Sequence, residues 1–265
     1  MISFFALQVI ISFVVGGIFI SGLSIFAERT NKKAAGIILS LPSTVLISYF
    51  FIGWTLTPKA VSEIVPVTIA GTGLVLAFAI TYLYTSKIKI PKIISIFLST
   101  ILGLTVWFMG AVPLAILEFS SLIMALVVYI PTALIGYYFL TIKPKIVALT
   151  KKPTYSLKEK IGRALFGGTI IALAVFFAKT LSPFWGGVFA GFPALFLSTL
   201  IILHRQHDSE YLLRVFHNIP LGLLVTISFP LAASYTYPAF GIILGSIVAY
   251  ITSIIIGLTV YKVTN

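Results

Sequence analysis

Two prolines 151 positions apart, Pro42 and Pro193, each interrupt an apolar run and each have small or hydroxyl-bearing neighbours. Ser40, Ser43, Thr44 and Ser48 surround the first; Gly191, Ser198 and Thr199 surround the second. A proline inside a helix lacks an amide donor and clashes with the carbonyl four residues back, so it frees backbone groups that must find other partners. A half-helix starting at either proline would aim its amide-rich N-terminus at an anionic group, and the freed carbonyls would suit a cation. The chemistry on offer is binding. Ser40, Pro42, Ser43, Thr44, Gly191, Pro193, Ser198 and Thr199 are therefore the candidate substrate site. The alternative is that the prolines only kink their helices while the hydroxyls bond back to carbonyls.

Ionisable residues within apolar segments are costly, and each marks a candidate site. Glu118, early in the apolar segment 114–141, is the candidate for a proton or cation site. Glu118, Glu28 and Lys179 all lie near enough to segment ends to snorkel into water instead. Arg214, His217 and Asn218 stand at i, i+3 and i+4, a face that would meet a phosphate, a carboxylate or a lipid head group. Glu63 and Glu210 read as first-turn carboxylates. The polar run His204 to Glu210 contains His-x-x-His, but no second ligand set accompanies it, so no metal is expected. Paired intramembrane aspartates, HExxH, GxSxG and P-loop motifs are all missing from the sequence, which argues against an enzyme and against a cofactor. Nor does a recurring ring of charges suggest a channel filter.

The elements that must position these residues follow from composition. The 265 residues are 59% hydrophobic and 9% charged, with no cysteine, and the mean hydropathy is +1.14. A soluble domain carries far more charge. Long apolar runs select helices over a barrel, because peptide groups in hydrocarbon must be paired within their own segment. The fold class is all-α, a polytopic membrane protein. The net charge of +12 sits in short connectors, as membrane orientation requires, so no nucleic-acid partner is expected.

Nine segments are long enough to span a core about 30 Å thick: 3–27, 34–54, 63–85, 92–111, 114–141, 162–181, 185–203, 212–234 and 237–261. Alternate connectors are unequally basic. Arg29, Lys32, Lys33, Lys87, Lys89, Lys92, the loop from Lys143 to Arg163, Arg205 and Lys262 fall on one face, and only Lys59 and Lys179 on the other. The positive-inside rule puts the basic face in the cytoplasm, with the N-terminus outside and the C-terminus inside. The expected location is the cytoplasmic membrane of a prokaryote, and the abundant apolar surface is compatible with homo-oligomers.

An internal repeat organises the spans. A shift of 151 superposes Gly16 and Gly17 on Gly167 and Gly168, Gly36 on Gly187, and Pro42 on Pro193; a shift of 147 then places Ser62 and Glu63 on Ser209 and Glu210, and Pro91 on Pro238. Matching glycines, prolines and spacing are harder to obtain by accident than matching leucines. The domains read as 1–112, a first four-helix repeat; 113–160, a central linking helix and basic loop; and 161–265, a second four-helix repeat. One linking span inverts the second repeat relative to the first.

The stretch Gly186 to Phe196, with Phe192-Pro193-Ala194 at its centre, resembles the small-residue, Phe-Pro signature of GlpM-like small membrane proteins. The resemblance implies a fused, duplicated form of such a protein in a membrane, with Leu41-Pro42-Ser43 departing from the signature in the first repeat. Inverted repeats are the architecture of many secondary transporters, with sites at the repeat interface. The expectation is a permease of a small molecule or ion. The alternatives are a carrier of lipid or lipid-linked substrate, and a non-catalytic membrane partner protein or channel.

Overall fold

A computed structural model describes residues 3–29, 41–144 and 155–264. Among the described residues the chain is helical, without strands. The helices are α1 (Phe4–Arg29), α2 (Ser43–Thr55), α3 (Pro58–Glu63), α4 (Val65–Thr85), α5 (Lys92–Ile116), α6 (Leu122–Tyr137, continued by a π-helical turn Tyr138–Ile142), α7 (Leu157–Thr180), α8 (Pro183–Ala190), α9 (Ala194–Gln206), α10 (Ser209–Phe216) and α11 (Ile219–Thr264). Seven helices among the described residues are long and apolar enough to cross a membrane, counting α8 with α9 as one and α11 as one. Their outer faces carry large apolar side chains in the open, such as Ile93, Met109 and Ile123. Water would penalise that surface and hydrocarbon does not. The chain is a helical protein suited to a bilayer.

The expected span 34–54 meets α2, a shorter apolar helix, while residues 34–40 lie outside the described residues. The 46 residues of α11 would run about 70 Å if straight, twice the need of one crossing. They do not run straight. Gly241 has φ 72°, a conformation that glycine adopts without a Cβ clash, and it divides α11 into two arms. The arms lie antiparallel: the Tyr237 hydroxyl meets Ser246 Oγ at 2.6 Å, and Ser228 Oγ donates to Ser253 Oγ at 3.0 Å.

The turn after α5 falls later than the sequence reading placed it. Pro113 stays inside α5, which runs on to Ile116, past the division drawn at 112/113. A transmembrane helix tolerates the missing amide when its surroundings re-satisfy the freed carbonyl. The turn forms at Leu117–Ser121, where the Phe119 and Glu118 amides donate back to the Leu114 and Ala115 carbonyls. Glu118 occupies the left-handed position of this Schellman-type cap, φ 48°, and is exposed. It is therefore a connector residue and not the intramembrane carboxylate expected.

Helix α4 is the interior helix, with 78% of its membrane-length window buried against 22% for α5. It lies between α5 and α6, and small residues let them approach. Gly103 of α5 sits over Phe78, while Gly136 of α6 sits over Leu76. Glycine contacts of this kind replace the hydrophobic driving force that helices lack within lipid.

The second close pair is α1 with α7, and its contacts are reciprocal. A Cβ on Gly168 would lie 2.6 Å from the Phe13 carbonyl oxygen, and one on Gly17 would lie 3.0 Å from that of Ala164. Gly16 packs on Ile171 and Gly167 on Ile20. Each contact becomes the other when 151 is added to one residue and subtracted from its partner. Phe5 stacks on Phe176, so each step forward along α1 is matched by an equal step back along α7. The pair is antiparallel.

The connectors α3 and α10 are short capped helices rather than loops. Thr57 accepts from the Ala60 amide and Asp208 from the Tyr211 amide, 151 positions further on. The 147 register is thus displaced here. Glu210 is in the first turn of α10 as expected, but Glu63 is the last residue of α3 and caps nothing at a helix start.

Candidate substrate site at two buried helix starts

The helix start at Pro42 and the break at Pro193 come from local backbone chemistry. At Pro193 the chain makes a three-residue turn in which the Ala194 amide donates to the Phe192 carbonyl at 2.7 Å, and α9 begins at once, the Leu197 amide donating to the Pro193 carbonyl at 2.8 Å. At Pro42 the Ser43 amide donates to the Leu41 carbonyl at 2.8 Å and the Leu46 amide to the Pro42 carbonyl at 2.8 Å. The backbone angles agree: φ −77°, ψ 55° at Pro42 and φ −75°, ψ 45° at Pro193. Both helices then run 13 residues. Neither N-terminus has a side-chain cap, and both are buried, Ser43 and Thr44 opening α2 and Ala194 opening α9. First-turn amides left uncapped in a buried place are donors in search of an acceptor.

The half-helix before the second break is held by close packing. Gly187 of α8 lies against α4, where a Cβ would come 2.5 Å from Val67 Cγ1, and the Thr68 hydroxyl donates to the Gly187 carbonyl at 3.1 Å. Gly191 is buried at the break, its amide donating to Gly187 and Val188. Phe192 packs among Trp107, Phe108, Phe166 and Phe189, with ring centroids 5.0 Å from Trp107. This aromatic cluster fixes the residue before Pro193, so the turn has little freedom to slide.

The candidate residues divide by partner. Pro42, Ser43, Thr44, Gly191 and Pro193 are buried at the breaks. Ser40 lies outside the described residues. Ser198 and Thr199, one turn further along α9, are half-buried, and both hydroxyls donate to the Leu195 carbonyl, at 3.1 and 2.7 Å. They satisfy themselves locally, as hydroxyls in membrane helices do. Ser48 Oγ is buried without a hydrogen-bond partner among the described residues.

The face expected at Arg214, His217 and Asn218 is not one continuous surface. Helix α10 ends at Phe216, so His217 and Asn218 belong to the turn before α11. Arg214 pairs with Glu210, and the His217 carbonyl accepts from Thr141 at 2.7 Å. Asn218 is exposed. Lys179 is likewise exposed, in the last turn of α7, and the side chain of Glu28 lies outside the described residues. In the polar run, His204 is buried while His207 stacks on Tyr211, centroids 3.7 Å apart. Among the described residues no three His, Cys, Asp or Glu side chains are grouped to hold a metal.

Three residues outside the candidate set tie these helices together. Thr68 links α4 to α8, Phe192 anchors the break, and His204 joins three helices through the Tyr82 hydroxyl at Nδ1, 3.3 Å, and Ser95 Oγ at Nε2, 3.4 Å. The position of Phe192 beside a proline was a legible signal. The other two depend on which helices meet.

Residues 161–265 match a family described as protein of unknown function (DUF3147). No curated protein and no solved structure matches the chain.

Proposed function

We propose that this chain is a secondary permease of a small solute, not an enzyme, working by alternating access between two inverted four-helix repeats. On this reading α1, the segment ending in α2, α4 and α5 form the first repeat. Helix α7, the broken pair α8 and α9, and the two arms of α11 form the second, with α6 the linking helix and nine crossings in all. The bounds of the family match, 161–265, coincide with the second repeat. The fused, duplicated GlpM-like origin fits the same division. The basic connectors then lie in the cytoplasm and the protein in the plasma membrane of a prokaryote.

The observation that carries the reading is the pair of helix breaks. Pro42 and Pro193 hold the same turn, each opening a buried, uncapped half-helix, and half-helix N-termini of this kind meet anionic groups in transporters with inverted repeats. The reciprocal, antiparallel contact of α1 with α7 supplies what such a mechanism needs: an interface between equivalent elements of opposite sense.

The test is a thermal-melting screen of the purified protein against inorganic anions, cations, carboxylates, amino acids and nucleobases, repeated with Ser43→Ala and Thr44→Ala. A ligand that binds only the folded form at 100 times its dissociation constant stabilises by about 2.7 kcal/mol. A saturable rise with one class, lost in these variants, supports a solute site at the breaks. No rise with any class moves the reading to a membrane partner protein.

A further inference from the structure

Helices α7 and α9 leave between them an open crevice of about 460 Å³, lined by Phe166, Leu197, Ser198, Ile201 and Ile202, with Lys158, Arg163 and Arg205 at its basic end. Arg163 is the unusual member. It is 6% exposed, its guanidinium stands 4.4 Å over the Tyr155 ring, and its Nε is buried without a hydrogen-bond partner among the described residues. The nearest carboxylate in the lining does not serve it: Glu159 accepts from Ser156 on one oxygen and from Gln206 on the other. Topology alone calls for basic residues at this face, but it calls for them in water. A buried cation with an idle donor calls for an anion.

The equivalent positions in the other half carry different residues. The residues 151 positions earlier are Leu7 for Lys158, Ser12 for Arg163 and Trp54 for Arg205. There the residues are uncharged, and Leu7 and Trp54 are exposed. Trp54 packs against Phe4 and Phe51, its carbonyl accepts from Gln8 at 3.2 Å, and the buried Ser12 hydroxyl bonds back to Val9. All three cationic positions are therefore neutral in the first half and cationic in the second, where the crevice lies. The proposed opposite orientation of the two halves accounts for charge at the exposed Lys158 and Arg205, but not for the burial of Arg163.

We infer that the α7–α9 crevice binds an anionic phospholipid from the leaflet on the basic face. Arg163, Arg205 and Lys158 hold the phosphate, and Phe166, Leu197 and Ile201 hold the first part of an acyl chain. A free anion would leave the apolar wall unused, and a zwitterionic lipid would bring its own cation beside Arg163, Arg205 and Lys158 and leave their charge unbalanced. The chain reaches the bilayer along the outer face of α7, where Ile161 and Leu165 are exposed. The site does not depend on whether the protein carries a solute.

The experiment uses the full-length protein in a nonionic detergent, with native mass spectrometry and thermal melting as readouts. The probes are phosphatidylglycerol, phosphatidylcholine with the same chains, and inorganic phosphate. Phosphatidylglycerol is expected to be retained and to raise the melting temperature saturably. Arg163→Gln should weaken it about tenfold or more, the scale of one lost charge-assisted contact, while Arg214→Gln, outside the crevice, and Ser43→Ala leave it unchanged. Because Arg163 is buried, the exposed pair Lys158→Gln with Arg205→Gln provides a variant whose folding is not at risk and should weaken binding in the same sense. Equal retention of phosphatidylcholine would overturn the proposal, as would an equal shift from inorganic phosphate or full binding in both variants.

Discussion

Pro42 and Pro193 lie 151 positions apart and hold nearly the same backbone conformation, within 10° in ψ and closer in φ. Each is the middle residue of a tight turn, and each launches a 13-residue helix from a buried start. Two unrelated kinks would have no reason to agree in turn type, helix length and capping at once. The agreement is the reason for treating the two helix starts as one device in the proposed permease.

The α1–α7 contact makes a graded prediction. At Gly168 a methyl group would meet backbone, the Phe13 carbonyl oxygen, which cannot move aside without shifting a helix; at Gly22 nothing lies within 4 Å. Gly168→Ala should destabilise by about 1–3 kcal/mol through overpacking, and Gly22→Ala should be close to neutral, both read from melting in detergent. Gly16→Ala should fall between, because it meets the flexible end of Ile171.

His204 ties α9 to α4 and α5 through Tyr82 and Ser95. His204→Leu keeps the volume and removes both contacts, leaving two buried hydroxyls short of a partner. The expected loss is about 1–3 kcal/mol, and Tyr82→Phe added to it should cost little more, since the pair acts as one unit. A double-variant cycle by thermal melting measures the coupling.

Glu118 holds a left-handed conformation that favours glycine. Glu118→Gly relieves strain of about 1–2 kcal/mol and adds freedom to the unfolded chain, for a net gain of about 0.5–1 kcal/mol. Because Glu118 is exposed in a connector, the same variant should leave any proton-coupled flux in proteoliposomes unchanged.

The chain contains no cysteine, so single-cysteine reporters need no prior removal of native thiols. Lys59, Lys87, Lys179 and Lys262 are all exposed. In oriented vesicles an impermeant maleimide should label Lys59→Cys and Lys179→Cys from outside, and Lys87→Cys and Lys262→Cys only from the cytoplasmic side.

The large elements were legible because hydropathy and proline act locally. Pro42 and Pro193 lack a donor wherever they stand, so a helix starting directly after each is legible in the sequence. The paired glycines at 16–17 and 167–168 marked the α1–α7 contact for the same reason: only close backbone approach makes use of two adjacent missing side chains. Features decided at short range within connectors were lost to a reading built on membrane-length windows. Thr57-Pro58 and Asp208-Ser209 carry the signs of a capped helix start, which membrane-length windows do not register. Pro113 does not end α5, so the division at 112/113 falls about one turn early. Arg163 was counted among the charges of a basic loop. Its burial depends on the α7–α9 crevice, and nothing local to residue 163 announces that.

Solute access to the breaks can be read at Ser43, which is 5% exposed and opens α2 directly after Pro42. Ser43→Cys, reconstituted in oriented vesicles, would be treated with an impermeant maleimide from one side at a time. Alternating access predicts slow labelling from each side separately, suppressed on both when a stabilising solute is bound. Labelling from one side only, or from neither, would contradict a permease built around Pro42 and Pro193.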